Sequence, residues 1–419
     1  MPRLSNYLLK IGLLLATALF TASCNTQSEK WNTNNQPETL KGQILMWVET
    51  PLSLKEVQSS RNQKISHSVI EEFSELYPQV QVFIKFFPSR QSWEPFELQV
   101  KRGSGPDLLL AYSSTRILPL IKTGALQSLE DFELDQSQLL PAALKQIRYQ
   151  GELYGLPMYL STQVLCYNKD RVKKLPRTLQ ELIEQARQGY YVGLHSGFTE
   201  TFWGTGIFGS QLFDAQGQSI LAQGEGWSKW MEWLKEAQNE PNFILSNNAQ
   251  ALQQAFVEGK LAYLTCSSEW IPYFSRALGK DKLGATLLPG EANQPATPLL
   301  QTGVLLLNRA SSPNQTRLAL KLAEFLTNVE QQKQIEAEVP FVPSNKNVTV
   351  NRRLFPIRAV LLDQTQSSVA FSLDDIEKLK VLIDDSDILY RKILAGEITP
   401  DEAATELVQN INRQFEEQQ

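Results

Sequence analysis

Basic charge, histidine and cysteine are all scarce in this sequence, and each shortage removes a class of function. Of 419 residues, 40 are Lys or Arg against 45 Asp or Glu, a formal charge of −5. Nucleic-acid binding rests on clustered cations that neutralise phosphates, and a mildly acidic chain does not supply them. Only two histidines occur, His67 and His195, and neither HExxH nor GxSxG is present. That leaves no zinc-hydrolase helix and no nucleophile elbow. His195-Ser196 is no triad by itself, because adjacent residues cannot set a base against a nucleophile while a third group orients it. The three cysteines show no CxxC spacing and no neighbouring histidine, so no metal site is expected. Nor is a cofactor expected. Gly204 to Gly209 fits GxGxxG, but it follows Phe202-Trp203 and opens into Asp214-Ala215-Gln216-Gly217, whereas a dinucleotide fingerprint sits in the first βαβ unit. Gly103-Ser104-Gly105 lacks the Lys-Ser/Thr of a phosphate-binding loop.

Long hydrophobic runs are missing too. The nearest, Leu8 to Ala22, is interrupted by Lys10 and is too short for a bilayer core of about 30 Å. It reads as an export signal over residues 1–23, with Arg3 and Lys10 as the positive region, Ile11 to Phe20 as the apolar one and Thr21-Ala22-Ser23 as the cleavage site. Its removal takes away two cations and no acid, which moves the net charge to −7. Cys24 follows at once, and the arrangement resembles the lipobox of bacterial lipoproteins, although Thr21 stands where that motif has Leu. The alternative is plain secretion with Cys24 left in the tail. With lipidation, residues 24–40 become an acylated cysteine on a polar, Asn- and Gln-rich tether, and the protein is periplasmic or at the cell surface, anchored by that lipid. The other two cysteines, Cys166 and Cys266, each lie in an apolar run and read as small buried hydrophobes; whether they bond to each other is open, since sequence does not give their separation.

What the sequence does hold is an alternation of short apolar runs with helical periods. Gly42 to Val48 predicts a buried strand. Val69, Ile70, Phe73, Leu76 and Tyr77 then recur at helical spacing up to Pro78, Val80 to Phe86 alternates, and Leu108 to Ala111 forms a third buried strand. Further strands are predicted at Val164 to Tyr167, Tyr190 to Leu194, Leu261 to Cys266 and Val304 to Leu307. Thr178 and Glu181 form a capping box for a helix closed at Gly189. Trp227, Trp230, Met231 and Leu234 mark a helix, Leu252 to Phe256 another, and Leu318 to Val329 a long one. Thr399-Pro400-Asp401-Glu402 opens the terminal helix. Pro289 to Gly303 reads as a crossover. This grammar predicts an α/β fold with helices on both faces of its sheets.

The blocks IEEFSELYP (70–78), Gly105-Pro106-Asp107, TGALQSL (123–129), Tyr154-Gly155-Leu156-Pro157, YNKD (167–170), PRTLQEL (176–182), AFVEGK (255–260), AEFLT (323–327) and Phe341-Val342-Pro343 occur in an order that resembles the extracellular solute-binding proteins of ABC importers, maltose-binding-like group. That resemblance implies a type II periplasmic-binding fold, with two discontinuous α/β lobes around a ligand cleft. The lobes map to 41–158 plus 290–340 and to 159–289 plus 341–419. It also implies the cleft residues. Tyr112, Ser113, Ser114 and Arg116 follow the third strand, Glu200, Phe202 and Trp203 resemble an acid followed by two sugar-lining aromatics, and Glu269 and Trp270 sit where the family carries a stacking Trp. Glu49, just past the first strand, is a weaker candidate for a hydroxyl acceptor, and a surface carboxylate is the favoured reading. Core packing competes in the same way for Phe202 and Trp203. The family aromatic before the last helix has no counterpart near Ile383. The expected role is capture of a sugar of two or more rings, by aromatic faces and hydroxyl-binding carboxylates, and its delivery to membrane permease subunits by a monomer that performs no catalysis. A polyamine or compatible solute, or service as a sensor or adhesin, are the alternatives; an enzyme acting on carbohydrate through paired carboxylates, which a count of Asp and Glu does not exclude, is the disfavoured rival.

Overall fold

The computed structural model describes residues 40–50, 61–88, 91–112, 115–214, 219–291, 293–338 and 341–416. Cys24, Ser113 and Ser114 lie outside them. The strands are β1 (Gly42–Thr50), β2 (Val80–Pro88), β3 (Leu108–Tyr112), the short hairpin β4 (Arg148–Tyr149) and β5 (Glu152–Leu153), β6 (Leu156–Ser161) and β7 (Gln163–Asn168). They continue with β8 (Val192–His195), β9 (Phe243–Ser246), β10 (Tyr263–Ser267), β11 (Leu283–Thr286), β12 (Gln301–Leu307) and β13 (Val342–Pro343). Two large sheets result. A six-stranded sheet has the order β13-β6-β12-β3-β1-β2 and a five-stranded one β11-β7-β10-β8-β9.

The continuous apolar runs become central strands because both of their faces are covered. Leu108, Leu109 and Val304 to Leu307 are wholly buried, and the helix Pro313–Thr327 covers β1, β6 and β12 with Leu318, Leu322 and Leu326. In the other half the helices Gly226–Ala237, Ile376–Leu394 and Pro400–Glu416 pack on one another through Trp227, Trp230, Leu389, Tyr390 and Leu407. Their ends follow the caps in the sequence. The Thr178 hydroxyl accepts from the Glu181 N–H at 3.1 Å, and Thr399 and Glu402 cap reciprocally, at 3.2 and 2.8 Å.

Between β6 and β7 only Thr162 intervenes, so one apolar run leaves the first sheet at Ser161 and enters the second at Gln163. The chain returns through residues 287–300 into β12. After β13, which pairs with β6 in the six-stranded sheet beyond the boundary drawn at 340, it leaves again for the helix Pro356–Thr365 against β7 and β11. Cys166 of β7 and Cys266 of β10 lie on one face of the second sheet, 5.9 Å apart at Cα, and are joined by a disulfide.

Asp107 ties the first sheet together. Its buried carboxylate accepts from the Leu45 N–H at 2.9 Å and from the Ser311 hydroxyl at 2.6 Å, linking β1, the entry to β3 and the turn after β12. Asp107→Ala leaves both donors without that acceptor and is expected to lower stability by about 1–3 kcal/mol. Guanidinium unfolding checks this, and an unchanged midpoint would show that water takes the place of the carboxylate.

Candidate functional site

The pairing of the strands brings their ends to one place. β1 and β3 are parallel and end at Thr50 and Tyr112, while antiparallel β12 begins and β6 ends at the same edge, where Gln301 faces Ser161. β7 starts from that edge, and its Gln163 faces Ser267, the last residue of β10. The carboxyl ends of β1, β3, β6 and β10 therefore meet across the junction of the two sheets, the place where open α/β sheets leave a crevice for a ligand. The buried hydroxyls of Ser161 and Ser268 join there at 2.5 Å, and the Ser268 N–H donates to the Thr162 carbonyl at 3.2 Å.

Four of the expected residues converge on this junction. Glu49, at the end of β1, is buried rather than a surface carboxylate, and it accepts from the equally buried Ser92 hydroxyl at 2.7 Å. Tyr112 ends β3 and is hydrogen-bonded both to Tyr159 of β6 and to Glu269, which comes from the turn Ser268–Trp270 after β10. Burial first, and then the neighbouring Tyr159 and Glu269, hold the Tyr112 phenol well above its ordinary range. Burial also raises Tyr159, with the charges of Glu269 and Glu49 adding to it. Both phenols are therefore neutral at physiological pH, each able to donate and to accept. Trp270 is half-buried against the second sheet and meets Tyr273 edge-on at 6.1 Å.

The remaining residues go elsewhere. Arg116 is exposed at the start of the helix Ile117–Lys122. Glu200 lies in the short helix Phe198–Thr201 that follows β8, where its carboxylate accepts from the Thr199 hydroxyl at 2.8 Å and stands 3.8 Å from His195 Nδ1, while its main-chain carbonyl accepts from Gln163 Nε2 at 3.2 Å. Phe202 and Trp203 are a correction: they are core residues, not cleft-lining ones. Both are buried in the turn Phe202–Phe208, and Trp203 packs edge-on against Trp230 at 4.9 Å. Gly204 explains its own pattern, since a Cβ there would stand 2.3 Å from the Trp230 ring; the glycine serves close packing, not a phosphate.

Sequence reasoning missed Tyr159 and Phe341. Tyr159 stacks on Phe341 at 4.1 Å and 13° and meets the Tyr112 ring edge-on at 5.9 Å. Phe341 stood out only as part of a family block, and Tyr159 is hidden inside the apolar run of β6. Together the junction offers two carboxylates, two neutral phenols and several aromatic rings. Such a set accepts hydrogen bonds from hydroxyl groups and offers flat faces to C–H surfaces. Among the described residues no group of three His, Cys, Asp or Glu is placed to hold a metal ion.

Residues 68–351 match the family model of the bacterial extracellular solute-binding proteins. The chain is 23% identical over 346 residues to the galactooligosaccharide-binding protein of Bacillus subtilis, covering 78% of this chain and 81% of that one. It is 24% identical over 314 residues to a maltooligosaccharide ABC transporter solute-binding lipoprotein of Streptococcus pneumoniae, covering 66% and 70%. A crystal structure of a cyclo/maltodextrin-binding protein complexed with maltotetraose superposes with a TM-score of 0.74 at 20% identity, over 92% of this chain and 99% of that one. The fold is thus the two-lobed one of periplasmic binding proteins.

Proposed function

The chain belongs to the bacterial extracellular solute-binding proteins, a family of exported binding proteins rather than enzymes, and from that premise we propose that it captures a sugar of two or more rings for an ABC importer. The observation that carries the reading is the meeting of Glu49, Tyr112 and Glu269 at the carboxyl ends of strands from both sheets. Hydroxyl acceptors from two lobes around one crevice give closure a direct energetic link to ligand. In this proposal Trp270 supplies the ring face, Glu200 a further acceptor and Arg116 and Ser113-Ser114 the rim. The relatives named for galacto- and maltooligosaccharides support the ligand class, and the pneumococcal lipoprotein supports an anchor at Cys24. The lobes are assigned from the two sheets, with 163–286 and the helices from Pro356 onward forming the second, and closure would present the pair to the permease.

The test is thermal unfolding of the chain from Asn25 onward against maltotriose, maltotetraose, galactooligosaccharides, spermidine and glycine betaine. A cognate ligand at about 100 times its dissociation constant adds about 2.7 kcal/mol to the folded state. A saturable shift with one of the sugars, recovered unaltered afterwards, is the expected outcome. A response confined to spermidine or betaine would overturn the sugar assignment.

A further inference from the structure

Tyr159 lies within β6 and is largely buried, so nothing in its position announces a role in binding. Its surroundings fix it from three sides. Gly303 of β12 is its register partner, and a Cβ on Gly303 would stand 2.3 Å from the ring carbon Cζ. The ring therefore lies across bare main chain. Phe341 covers the ring at 4.1 Å, nearly parallel, and Tyr112 meets it edge-on at 5.9 Å. Gly303 is also the register partner of Tyr112 on its other side, so one glycine separates the two tyrosines in a single row across three strands. A ring clamped in this way has one rotamer, and its hydroxyl arrives at one point. At that point stands the Tyr112 hydroxyl, which bonds on to Glu269 of the other lobe.

We propose that Tyr159 is a positioning residue for ligand recognition: seated on Gly303 under Phe341, it fixes the Tyr112 hydroxyl against Glu269 and so presents that carboxylate to a ligand hydroxyl in one orientation. The inference rests on the sugar-binding reading and deepens it. A carboxylate offers about four lone-pair directions. With one taken by an immobile phenol and another by the Ser267 hydroxyl at 3.3 Å, the acceptor left to a ligand is aimed, and a ligand lacking a hydroxyl at the aimed position loses that hydrogen bond. Discrimination between sugars that differ at one hydroxyl would follow from the seat of a ring that itself touches no ligand.

Tyr159→Phe keeps the ring and its packing and removes only the hydroxyl. By titration calorimetry with the best sugar of the panel it is expected to weaken binding about tenfold, Tyr112→Phe by a similar factor, and the double variant by no more than the weaker of the two singles, because both changes break one relay. Gly303→Ala forces the ring off its seat and is expected to cost more than tenfold; should that variant not fold, Tyr159→Phe carries the test. A second readout needs no ligand. In protein labelled with 13Cζ-tyrosine, the Tyr112 resonance, assigned by its loss in Tyr112→Phe, is expected to move in both Tyr159→Phe and Glu269→Gln. Additive losses of affinity, or a Tyr112 resonance that stays in place, would overturn the proposal. A moved resonance in a protein that binds none of the sugars would uphold the relay and overturn the sugar reading, so the two failures are told apart.

Discussion

Replacing Cys166 and Cys266 together by alanine is expected to lower the unfolding free energy by about 3–5 kcal/mol, one of the two largest effects any change of side chain should have on this protein. The bond spans a sequence separation of 100 residues, and a cross-link closing a loop of about 100 residues removes roughly 4.7 kcal/mol of chain entropy from the unfolded state at 25 °C. The enclosed segment holds β8, β9 and the helices between them, so without the bond those elements must be gathered from an unrestrained chain. Both sulfurs are buried in the cluster formed by Val164, Leu264 and Phe256, which adds a packing loss to the entropic one. Cys266 adjoins Ser267 at the junction end of β10 and Cys166 lies three residues from Gln163 in β7, but both side chains are buried in that cluster and not at the strand ends, so sugar affinity measured below the unfolding transition is expected to survive. Guanidinium unfolding of the oxidised protein, the reduced protein and the double variant decides the matter. Equal midpoints in all three would show that the bond contributes nothing to the folded state.

That bond also marks where sequence reading stops. Buried cysteines could be inferred from their apolar neighbours, but their pairing depends on β7 lying beside β10, a register that no local pattern encodes. Elements whose causes are local were legible. Gly42 to Val48, Val80 to Phe86 and Leu108 to Ala111 became strands β1 to β3, and Thr178 and Thr399 capped the helices expected of them. Residues whose role depends on distant partners were not. Glu49 looked like a surface acid because Ser92, which buries with it, is 43 residues away. Tyr159 lies in β6, where the sequence predicts no strand; the strand expected at Val164 to Tyr167 is β7, in the other sheet beyond Thr162. The helix Ile376–Leu394 had no element assigned because the acids Asp384 and Asp385 and the buried Ser386 interrupt its apolar stripe. Tyr112, Glu269 and Glu49 were found only through strand-end position and family likeness, since a carboxylate and a phenol at a loop carry no signature of their own.

Trp203→Ala and Trp270→Ala, made side by side, are expected to separate stability from binding. Trp203 is fully buried, edge-on to Trp230, which itself stacks on Trp233 at 5.0 Å and 8°. Cutting it back to a methyl leaves a cavity in a cluster that cannot collapse, because Gly204 already holds the Trp230 ring against the main chain. Such truncations cost about 3–5 kcal/mol. Sugar affinity, measured on the fraction still folded, should be unchanged within about twofold, since the indole faces the core on all sides. Trp270 presents the opposite case. It is half-buried, leans on Tyr273 and follows Glu269 in the turn that meets Tyr112. In the proposed site its removal would take a ring face from the ligand and little from the core. A loss of about 2 kcal/mol or more, the scale of an aromatic anchor at the centre of a binding site, corresponds to about 30-fold in affinity, while the unfolding free energy should fall by about 1 kcal/mol or less. Calorimetric titration paired with denaturant unfolding on the same two preparations gives both quantities. If Trp203→Ala lowered affinity as much as Trp270→Ala did, its indole would have to reach the ligand in a conformation with the lobes further apart. Its burial here would then belong to one state of the cleft and not to the core.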